Sequence, residues 1–261
     1  MEIITKDTVL IKIGMPTNSR MAEDCAPIRD VLELEGSQGA FRSRFVPDAV
    51  FRSLRVADIA RFLKRGIFQL GIIGDDTACE EDLEIQGFSS KILAQLDRVR
   101  SKTEATTELE PYIFCPVNRK AILNLGEPTC MTLFARPDVK GTLPFPNRLL
   151  SSGRIATSYP NLAGKALRIS NDMNPVSVET FDGKIESIVA NGDDKNIVGG
   201  FDLVRTGNTL DEFGLVKYGS VAESRPGIWQ TPSLITDQSM RSGVADVLAI
   251  LRERLGYFIN C

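Results

Sequence analysis

The sequence predicts an α/β protein in which helices cover a mainly parallel sheet. Short apolar runs with strand character alternate along the chain with amphipathic segments of helical period, an alternation typical of parallel sheets. Two of the strand-like runs end in glycine turns, at Gly74 and at Gly207. A length of 261 residues supports a well-buried core, as one large domain or as two lobes.

In the first half of the chain, the apolar pattern predicts several strands and one amphipathic helix. The expected elements are a strand over residues 8–13, a turn over 15–18, short strands over 41–45 and 50–56, a helix over 57–65 and a buried strand over 67–73. Pro27 marks the start of a helix or a break in one. Residues 82–110 are polar and contain one helical stretch, which predicts a surface excursion.

The second half continues this alternation of strands and helices. A strand over 131–135 is expected to pass between lobes, and a proline-containing loop follows over 140–147. Further strands are expected over 176–180, 201–204 and 215–218. The last helix has the clearest period, because apolar side chains recur at helical spacing at Val244, Val247, Leu248, Leu251 and Leu255.

Charge and hydropathy exclude two classes of partner. The net charge of −3 lacks the basic excess of a nucleic-acid-binding protein. No apolar run approaches the ~20 residues that cross a bilayer, so we expect no membrane association. The amino terminus has no cationic stretch followed by a long apolar core, and therefore does not resemble a signal peptide. We expect a cytoplasmic protein.

Cysteine and histidine usage limits the chemistry. The 5 cysteines are widely spaced and form no CxxC pair, which predicts reduced thiols and neither a disulfide framework nor a zinc site. The chain has 0 histidines, which excludes a histidine base, a histidine-activated nucleophile and histidine metal ligands. The groups left for chemistry in this protein are carboxylates, cations and backbone N–H groups, with or without a metal ion.

Residues 199–215 contain a pattern typical of a phosphate-binding loop. An apolar strand leads into a small-residue turn over 206–209, and a segment that can start a helix follows. Gly207 lets the backbone approach a ligand, while threonine hydroxyls and free N–H groups in the turn favour an anion. Asp202 lies just upstream, where its carboxylate can hold sugar hydroxyls. The same pattern also occurs in tight turns that bind nothing.

Two more segments add to this pattern. Residues 154–162, RIATSYPNL, read as a short strand that ends in a Ser/Thr turn, with Pro160 at a helix start. Residues 59–76 read as a helix, a glycine stop and a buried strand. Together with residues 199–215, these segments resemble the ATP phosphoribosyltransferase family, which catalyses the first step of histidine biosynthesis. The resemblance covers about residues 8–80 and 121–258, whereas residues 81–120 do not match.

The resemblance implies two α/β lobes with a hinge, similar to type II periplasmic binding proteins. The first lobe, on the acceptor side, would comprise residues 1–134 plus 220–261 with an excursion over 81–120. The second lobe, 135–219, would bind phosphoribosyl pyrophosphate. Because the sequence ends soon after the last helix, we expect a catalytic part without the C-terminal regulatory domain of longer members. Short members work with a separate regulatory subunit, and we also expect a homo-oligomer.

The activity implied by the resemblance is transfer of the phosphoribosyl group from phosphoribosyl pyrophosphate to N1 of ATP, with release of pyrophosphate and with Mg²⁺ as cofactor. Asp202 and Glu186 are the expected catalytic residues. The residues expected to bind phosphoribosyl pyrophosphate are Arg205, Thr206, Gly207, Asn208 and Thr209. Those expected to bind the acceptor are Arg20, Arg55, Asp75 and Tyr159.

Simpler interpretations exist for several of these residues. Glu186 also fits a solvated acid at a helix start. Arg205 stands where the family has a small serine, and it either contacts a phosphate or points to solvent. Arg55 either serves the pyrophosphate or pairs with Asp58, and Tyr159 either stacks on a base or packs.

The first loop departs from the family pattern, because Thr17 replaces the usual lysine and Ser19 the usual glycine. Loss of a cation weakens the case for a polyanionic acceptor such as ATP. Two alternatives therefore remain open. One is a paralogue with another heterocyclic acceptor, and the other is a non-catalytic small-anion-binding protein.

Overall fold

The structure, a computed structural model, describes residues 10–17, 20–83, 112–113, 116, 118–125, 127–138, 153–168, 177–233, 235–256 and 259–260. Its strands are β1 Ile11–Pro16, β2 Glu35–Ser37, β3 Ala40–Ser43, β4 Val46–Leu54, β5 Leu70–Gly74, β6 Tyr112–Ile113, β7 Arg119–Leu123, β8 Thr129–Ala135, β9 Arg154–Thr157, β10 Ser177–Thr180, β11 Ile197–Val204, β12 Val216–Ser224, β13 Pro226–Gln230 and β14 Ile259–Asn260. Its helices are α1 Arg20–Asp24, α2 Ala26–Val31, α3 Val56–Lys64, α4 Asp75–Glu80, α5 Pro160–Arg168, α6 Ile185–Asn191, α7 Asn208–Glu212 and α8 Gln238–Arg254.

The chain forms two compact units. The first comprises Met1–Glu84, Cys115–Gly126 and Arg225–Cys261, and the second comprises Ile85–Phe114 and Glu127–Ser224. Each unit contains its own sheet and its own hydrophobic core. The α/β class expected from the sequence is confirmed.

The first unit is built on an eight-stranded sheet of order β14-β7-β13-β5-β1-β4-β3-β2. β1 is parallel to both β4 and β5, so the carboxyl ends of these three strands lie at one edge. On one face, α3 packs so closely that a Cβ at Gly14 or at Gly71 would collide with Ile59. The core of the other face includes Val244, Val247, Leu248 and Leu251 of α8.

The second unit is built on a six-stranded sheet of order β10-β9-β11-β8-β12-β6. β9 is parallel to β10 and β11, whereas β8 runs antiparallel to β11 and β12. Ile185 and Val189 of α6 are buried in a core that also contains Phe134 of β8. This sheet draws on residues on both sides of the expected lobe boundaries at 134/135 and 219/220.

The expectation of a mainly parallel sheet is wrong, because both sheets are mixed. In the first unit, every described strand pairing other than those of β1 is antiparallel. Tight turns join β2 to β3 and β3 to β4, and such short connections allow only antiparallel neighbours. The strand over 131–135, expected to pass between lobes, lies inside the second sheet as β8.

Several element boundaries also differ from those expected. The turn expected over 15–18 is wrong for its first half, because β1 continues through Pro16, which lies opposite Leu54 of β4. Most of the excursion expected over 81–120, and the loop expected over 140–147, lie outside the described residues. None of the described helices has both the length and the apolar character needed to cross a membrane.

Candidate functional site

Three loops of the second unit meet at the carboxyl edge of β9, β10 and β11. Because these strands are parallel, the loops that follow them all leave from the same edge of the sheet. The N–H of Phe181, just after β10, donates to the carbonyl of Thr157 at the end of β9 over 3.1 Å. The edge therefore brings together the turn at Ser158, the approach to α6 and the loop after β11.

The loop after β11 has the open backbone that the sequence predicts for a phosphate site. Gly207 has φ +83°, a left-handed conformation that disfavours a side chain. A Cβ added to Gly207 would meet no atom within 4 Å, so the space beside the loop is open. Within the described residues, the N–H groups of Thr206, Gly207 and Thr209 donate to no backbone carbonyl. These N–H groups are free to bind an anion.

The side chains of the loop are exposed or half-buried. Thr206 and Asn208 are exposed, and Thr209 is half-buried. The N–H of Asn208 approaches the hydroxyl oxygen of Thr206 at 3.5 Å, which is a long hydrogen bond. The loop is therefore held by local contacts and leaves its polar groups accessible.

Asp202 lies in β11, before the loop, and its carboxylate is buried. The hydroxyl of Ser158 donates to Oδ2 over 3.0 Å, and the N–H of Leu203 donates to Oδ1 over 2.7 Å. Burial, with a smaller contribution from the negative charge of Glu186, raises the pKa of Asp202 to about 6 against the effect of these bonds. A carboxyl group with a raised pKa at a strand end is typical of a functional site.

Glu186 lies in the first turn of α6 and is half-buried. Its electrostatic effect on Asp202 means that the two predicted catalytic carboxylates lie near each other. Whether Glu186 acts in catalysis or is a solvated acid at a helix start stays a prediction.

Ser158 was not among the residues selected from the sequence. Its Ser/Thr turn was recognised, but its contact with Asp202 depends on the parallel pairing of β9 with β11. A residue alternation cannot reveal which strand neighbours which. The sequence therefore shows the Ser/Thr turn that contains Ser158, but not that Asp202 is its partner.

Arg205 and Tyr159 flank this edge. Nε of Arg205 lies 3.9 Å from Oε2 of Glu127, a loose ion pair with a largely exposed partner. Tyr159 is half-buried, and its N–H donates to Oγ1 of Thr157 over 2.9 Å. Whether either side chain binds a substrate stays a prediction.

The other predicted acceptor residues belong to the first unit, at the carboxyl edge of β5, β1 and β4. Arg55 follows β4 and is exposed. Asp58 pairs with Arg61 at 3.6 Å, and among the described residues Arg55 forms no ion pair, so the alternative that Arg55 pairs with Asp58 does not hold. The backbone of Arg20 begins α1, but its side chain lies outside the described part of the structure.

Asp75 follows β5 and is buried, with 1% of its surface exposed. Oδ2 forms an ion pair with Arg119 and accepts the N–H of Arg225 at 3.2 Å. Burial raises the pKa of Asp75 to about 7, although Arg119 favours the charged form. These contacts give Asp75 a structural function, and its contribution to acceptor binding stays a prediction.

Comparisons with known proteins agree with the motifs. A family model described as HisG: ATP phosphoribosyltransferase matches residues 115–253, more than half of the chain. An ATP phosphoribosyltransferase from Corynebacterium diphtheriae is 26% identical over 219 residues, which cover 81% of this chain. The chain spans 62% of the length of that relative.

A solved structure agrees in fold. A chain of the ATP phosphoribosyl transferase (HisG:HisZ) complex from Thermotoga maritima is 19% identical, with a TM-score of 0.62. The match covers 95% of this chain and 100% of that chain. At this identity the likeness concerns the fold alone. The match of the family model is what carries the assignment: this chain belongs to the ATP phosphoribosyltransferase family.

Proposed function

We propose that this protein transfers the phosphoribosyl group from phosphoribosyl pyrophosphate to N1 of ATP and releases pyrophosphate. The observation that carries the proposal is the open loop over 206–209 beside the buried carboxyl of Asp202, at the edge where three parallel strands end. Family membership supports the same activity.

The reaction breaks the bond between the anomeric C1 and the pyrophosphate oxygen and forms a bond from C1 to the attacking nitrogen. Positive charge develops on the ribose ring, and negative charge grows on the pyrophosphate. The protein has to position both reactants and stabilise these charges. No covalent protein nucleophile is needed, so the 0 histidines of the sequence are compatible with this chemistry.

The loop over 206–209 is proposed to hold the 5′-phosphate through its free N–H groups and the hydroxyl of Thr209. The carboxylate of Asp202, ionised above pH 6, accepts hydrogen bonds from the ribose hydroxyls. Glu186, near Asp202, stabilises the developing positive charge of the ribose. Arg205 adds a charge-assisted contact to a phosphate once it leaves its loose pair with Glu127.

Mg²⁺ is the proposed cofactor, and the donor set of this edge fits it. Asp202 and Glu186 offer carboxylate oxygens, and the described residues contain no cluster of three or more metal-binding side chains. Two carboxylates suit Mg²⁺, because this ion is usually bound by one or two carboxylates together with substrate phosphates and water. When bound, the ion neutralises charge on the pyrophosphate leaving group.

For the acceptor we propose Arg55 and Arg20 as the cations that meet the triphosphate, and Tyr159 as a stacking partner for the adenine. Arg55 is exposed and forms no ion pair with a described residue, so its guanidinium is available. Asp75 is proposed to act through the structure, because its carboxylate is already engaged by Arg119 and Arg225.

We also propose that the protein works in the cytoplasm as a homo-oligomer with a separate regulatory subunit. The support for the subunit is that the solved relative from Thermotoga maritima is a complex of HisG and HisZ. Size-exclusion chromatography with light scattering tests the oligomer, and co-purification of a tagged chain from its own host tests the subunit.

The activity is tested by incubating the protein with phosphoribosyl pyrophosphate, Mg²⁺ and one acceptor at a time, and measuring pyrophosphate release. We expect release with ATP, and loss of release in the Asp202→Asn variant but not in Asp211→Asn, which changes an exposed carboxylate of α7. Release with a neutral heterocycle instead of ATP would identify another acceptor. No release with any acceptor, together with tight binding of phosphoribosyl pyrophosphate, would indicate an anion-binding protein.

A further inference from the structure

Arg29, in α2, reaches the point where β1 and β4 end. Its Nη2 donates to the carbonyl of Pro16, the last residue of β1, over 3.3 Å. The same nitrogen donates to the hydroxyl of Ser53, near the end of β4, over 3.0 Å. One guanidinium therefore joins the carboxyl ends of two parallel strands.

The charge of Arg29 is held in place without a carboxylate. Among the described residues, no acidic side chain lies within the 4.0 Å that defines an ion pair with this guanidinium. The side chain is half-buried, its Nε is buried with no hydrogen-bond partner, and its Cζ lies 5.4 Å from the ring centroid of Phe41. A partly desolvated cation of this kind costs free energy unless an anion completes the pair. It also adds a positive charge to this edge of the sheet.

Of the two strand ends that Arg29 joins, one leads to Arg55, a proposed acceptor contact, and the other to Thr17, where the family has a lysine. Thr17 follows Pro16, and Arg55 comes two residues after Ser53. The N–H of Thr17 also donates to the carbonyl of Leu54 over 2.9 Å. The backbone bond and the Arg29 bonds together determine how far apart Thr17 and Arg55 lie.

We infer that Arg29 is a positioning residue for the polyanionic acceptor. Its two hydrogen bonds hold Thr17 and Arg55 in register, and its charge, which pairs with no acidic side chain among the described residues, attracts the triphosphate to this edge. The inference rests on the proposed function for the identity of the acceptor as ATP. A purely structural residue would instead affect both substrates and the stability of the first unit alike.

Binding of ATP and of phosphoribosyl pyrophosphate by calorimetry, with the steady-state KM for each, separates these possibilities. The Arg29→Met variant removes the charge and both bonds but keeps the apolar stem. We expect its Kd and KM for ATP to rise roughly tenfold, as for loss of a charge-assisted bond. The constants for phosphoribosyl pyrophosphate and kcat should change less than about twofold, within the scatter of surface substitutions.

Two other variants separate the contribution of the charge of Arg29 from that of its hydrogen bond to Ser53. Arg29→Lys keeps the charge but replaces the planar, weakly hydrated guanidinium with a strongly hydrated ammonium group, so it should recover part of the ATP affinity. Ser53→Ala removes one acceptor with little risk to folding, and should raise the ATP constants by a few fold. Its effect should not add to that of Arg29→Met, because both changes break the same contact.

Arg52→Met is the matched control. It removes one exposed arginine from β4, next to Ser53 but on the opposite face of the sheet. The ATP constants of this variant should remain those of the wild type. An Arg29→Met protein that binds ATP as the wild type does, or that loses both substrates equally, would overturn the inference. Wild-type protein that binds ATP but releases no pyrophosphate would overturn the proposed function alone.

Discussion

Burial and hydrogen bonding shift the pKa of Asp202 in opposite directions. It is buried in β11, which favours the protonated acid, and it accepts hydrogen bonds from Ser158 and from the Leu203 N–H, which favour the anion. The effect of burial is the larger one, so the pKa of Asp202 rises to about 6. The folded protein therefore holds an ionised Asp202 at neutral pH at a cost in stability, a trade expected where activity needs the charge.

Asp202→Asn should stabilise the protein in a pH-dependent way. Near pH 4 and below, the acid is largely protonated in the folded state, so the variant and the wild type should unfold alike. As the pH rises through about 6, Asp202 loses its proton in the folded wild type. The stability contributed by the protonated acid is then lost, because the pKa of Asp202 is higher in the folded protein than in the unfolded chain. Above pH 7 we expect the variant to be more stable by up to about 3 kcal/mol. Urea unfolding at pH 4 and pH 7.5 measures this difference.

The exposed Asp211→Asn variant is the control for this experiment, because it removes a carboxylate from the same unit without removing a buried charge. Its difference from the wild type should not change with pH. An Asp202→Asn protein whose added stability is the same at both pH values would show that the buried charge is not the cause.

Gly207 is a second residue whose conformation, not its packing, decides its identity. At φ +83° an alanine would be strained by about 1–2 kcal/mol, although its methyl group would meet no atom within 4 Å. We expect Gly207→Ala to bind phosphoribosyl pyrophosphate roughly tenfold more weakly, measured by calorimetry.

Gly164→Ala is the matched control for Gly207→Ala. Gly164 lies in α5, and a Cβ there would also enter open space, but its φ is not left-handed. This variant should bind phosphoribosyl pyrophosphate normally and gain about 0.5–1 kcal/mol of stability. Equal binding by both variants would exclude the loop from the phosphate site.

The sequence could identify individual site residues only where the pattern is local. The loop over 206–209 and Asp202 lie within one strand and turn, and their order is visible in the chain. The burial of Asp75 could not be inferred, because its partners Arg119 and Arg225 lie 44 and 150 residues away. Without its partners, a carboxylate after a glycine turn looks like a ligand-binding residue.

At the scale of elements, the helices are stabilised mainly by burial and by their ends. The last helix, α8, begins with Asp237 as its N-cap, whose carboxylate accepts the N–H of Met240 over 2.9 Å. The C-terminal end of α6 is held by Arg136, whose Nη1 donates to the carbonyl of Val189 over 3.3 Å. Glu186 lies at the other end of α6, so Arg136 holds the helix that carries it.

Asp237→Ala should destabilise the protein by about 1 kcal/mol, the usual cost of losing an N-cap. The control is Asp246→Ala, which removes an exposed carboxylate from the middle of α8, where alanine favours the helix. Urea unfolding should give a lower midpoint for the first variant and an equal or higher one for the second. An equal loss of stability in both variants would show that removal of a negative charge, and not loss of the N-cap, is the cause.

Elements with strong periodicity were predicted well, and those with weak propensity were not. The helices α3 and α8 and the strand β5 follow apolar patterns and lie within a few residues of their expected ranges. β13, with the sequence PGIWQ, was missed because proline and glycine disfavour strands. It forms because β5 and β7 pair with it from both sides, which only the tertiary structure supplies.

At the scale of the whole molecule, each unit has its own core. The cores of the first unit include fully buried Trp229, and the core of the second includes Phe134. Trp229 is the single tryptophan of the sequence, so its fluorescence reports on the first unit alone. Circular dichroism reports on both units.

Thermal unfolding should therefore give a fluorescence transition that does not coincide with the one seen by circular dichroism. Phosphoribosyl pyrophosphate at 100 times its Kd should stabilise the second unit by about 2.7 kcal/mol and shift mainly the circular dichroism signal. ATP should shift the Trp229 transition. If phosphoribosyl pyrophosphate shifts the Trp229 transition as much as the circular dichroism signal, its stabilising effect does not belong mainly to the second unit.

The pairing of β8 with β12 brings the two ends of a long chain segment together. Thr129 lies opposite Ser224 in the register, and the hydroxyl of Thr129 approaches the carbonyl of Ser224 at 3.5 Å. The continuous segment 129–224, the larger part of the second unit, thus begins and ends at adjacent points. A segment whose ends meet can be exchanged between homologues, or circularly permuted with a short linker, at little cost in loop-closure entropy. Recombination between relatives can therefore pass on this segment as a module.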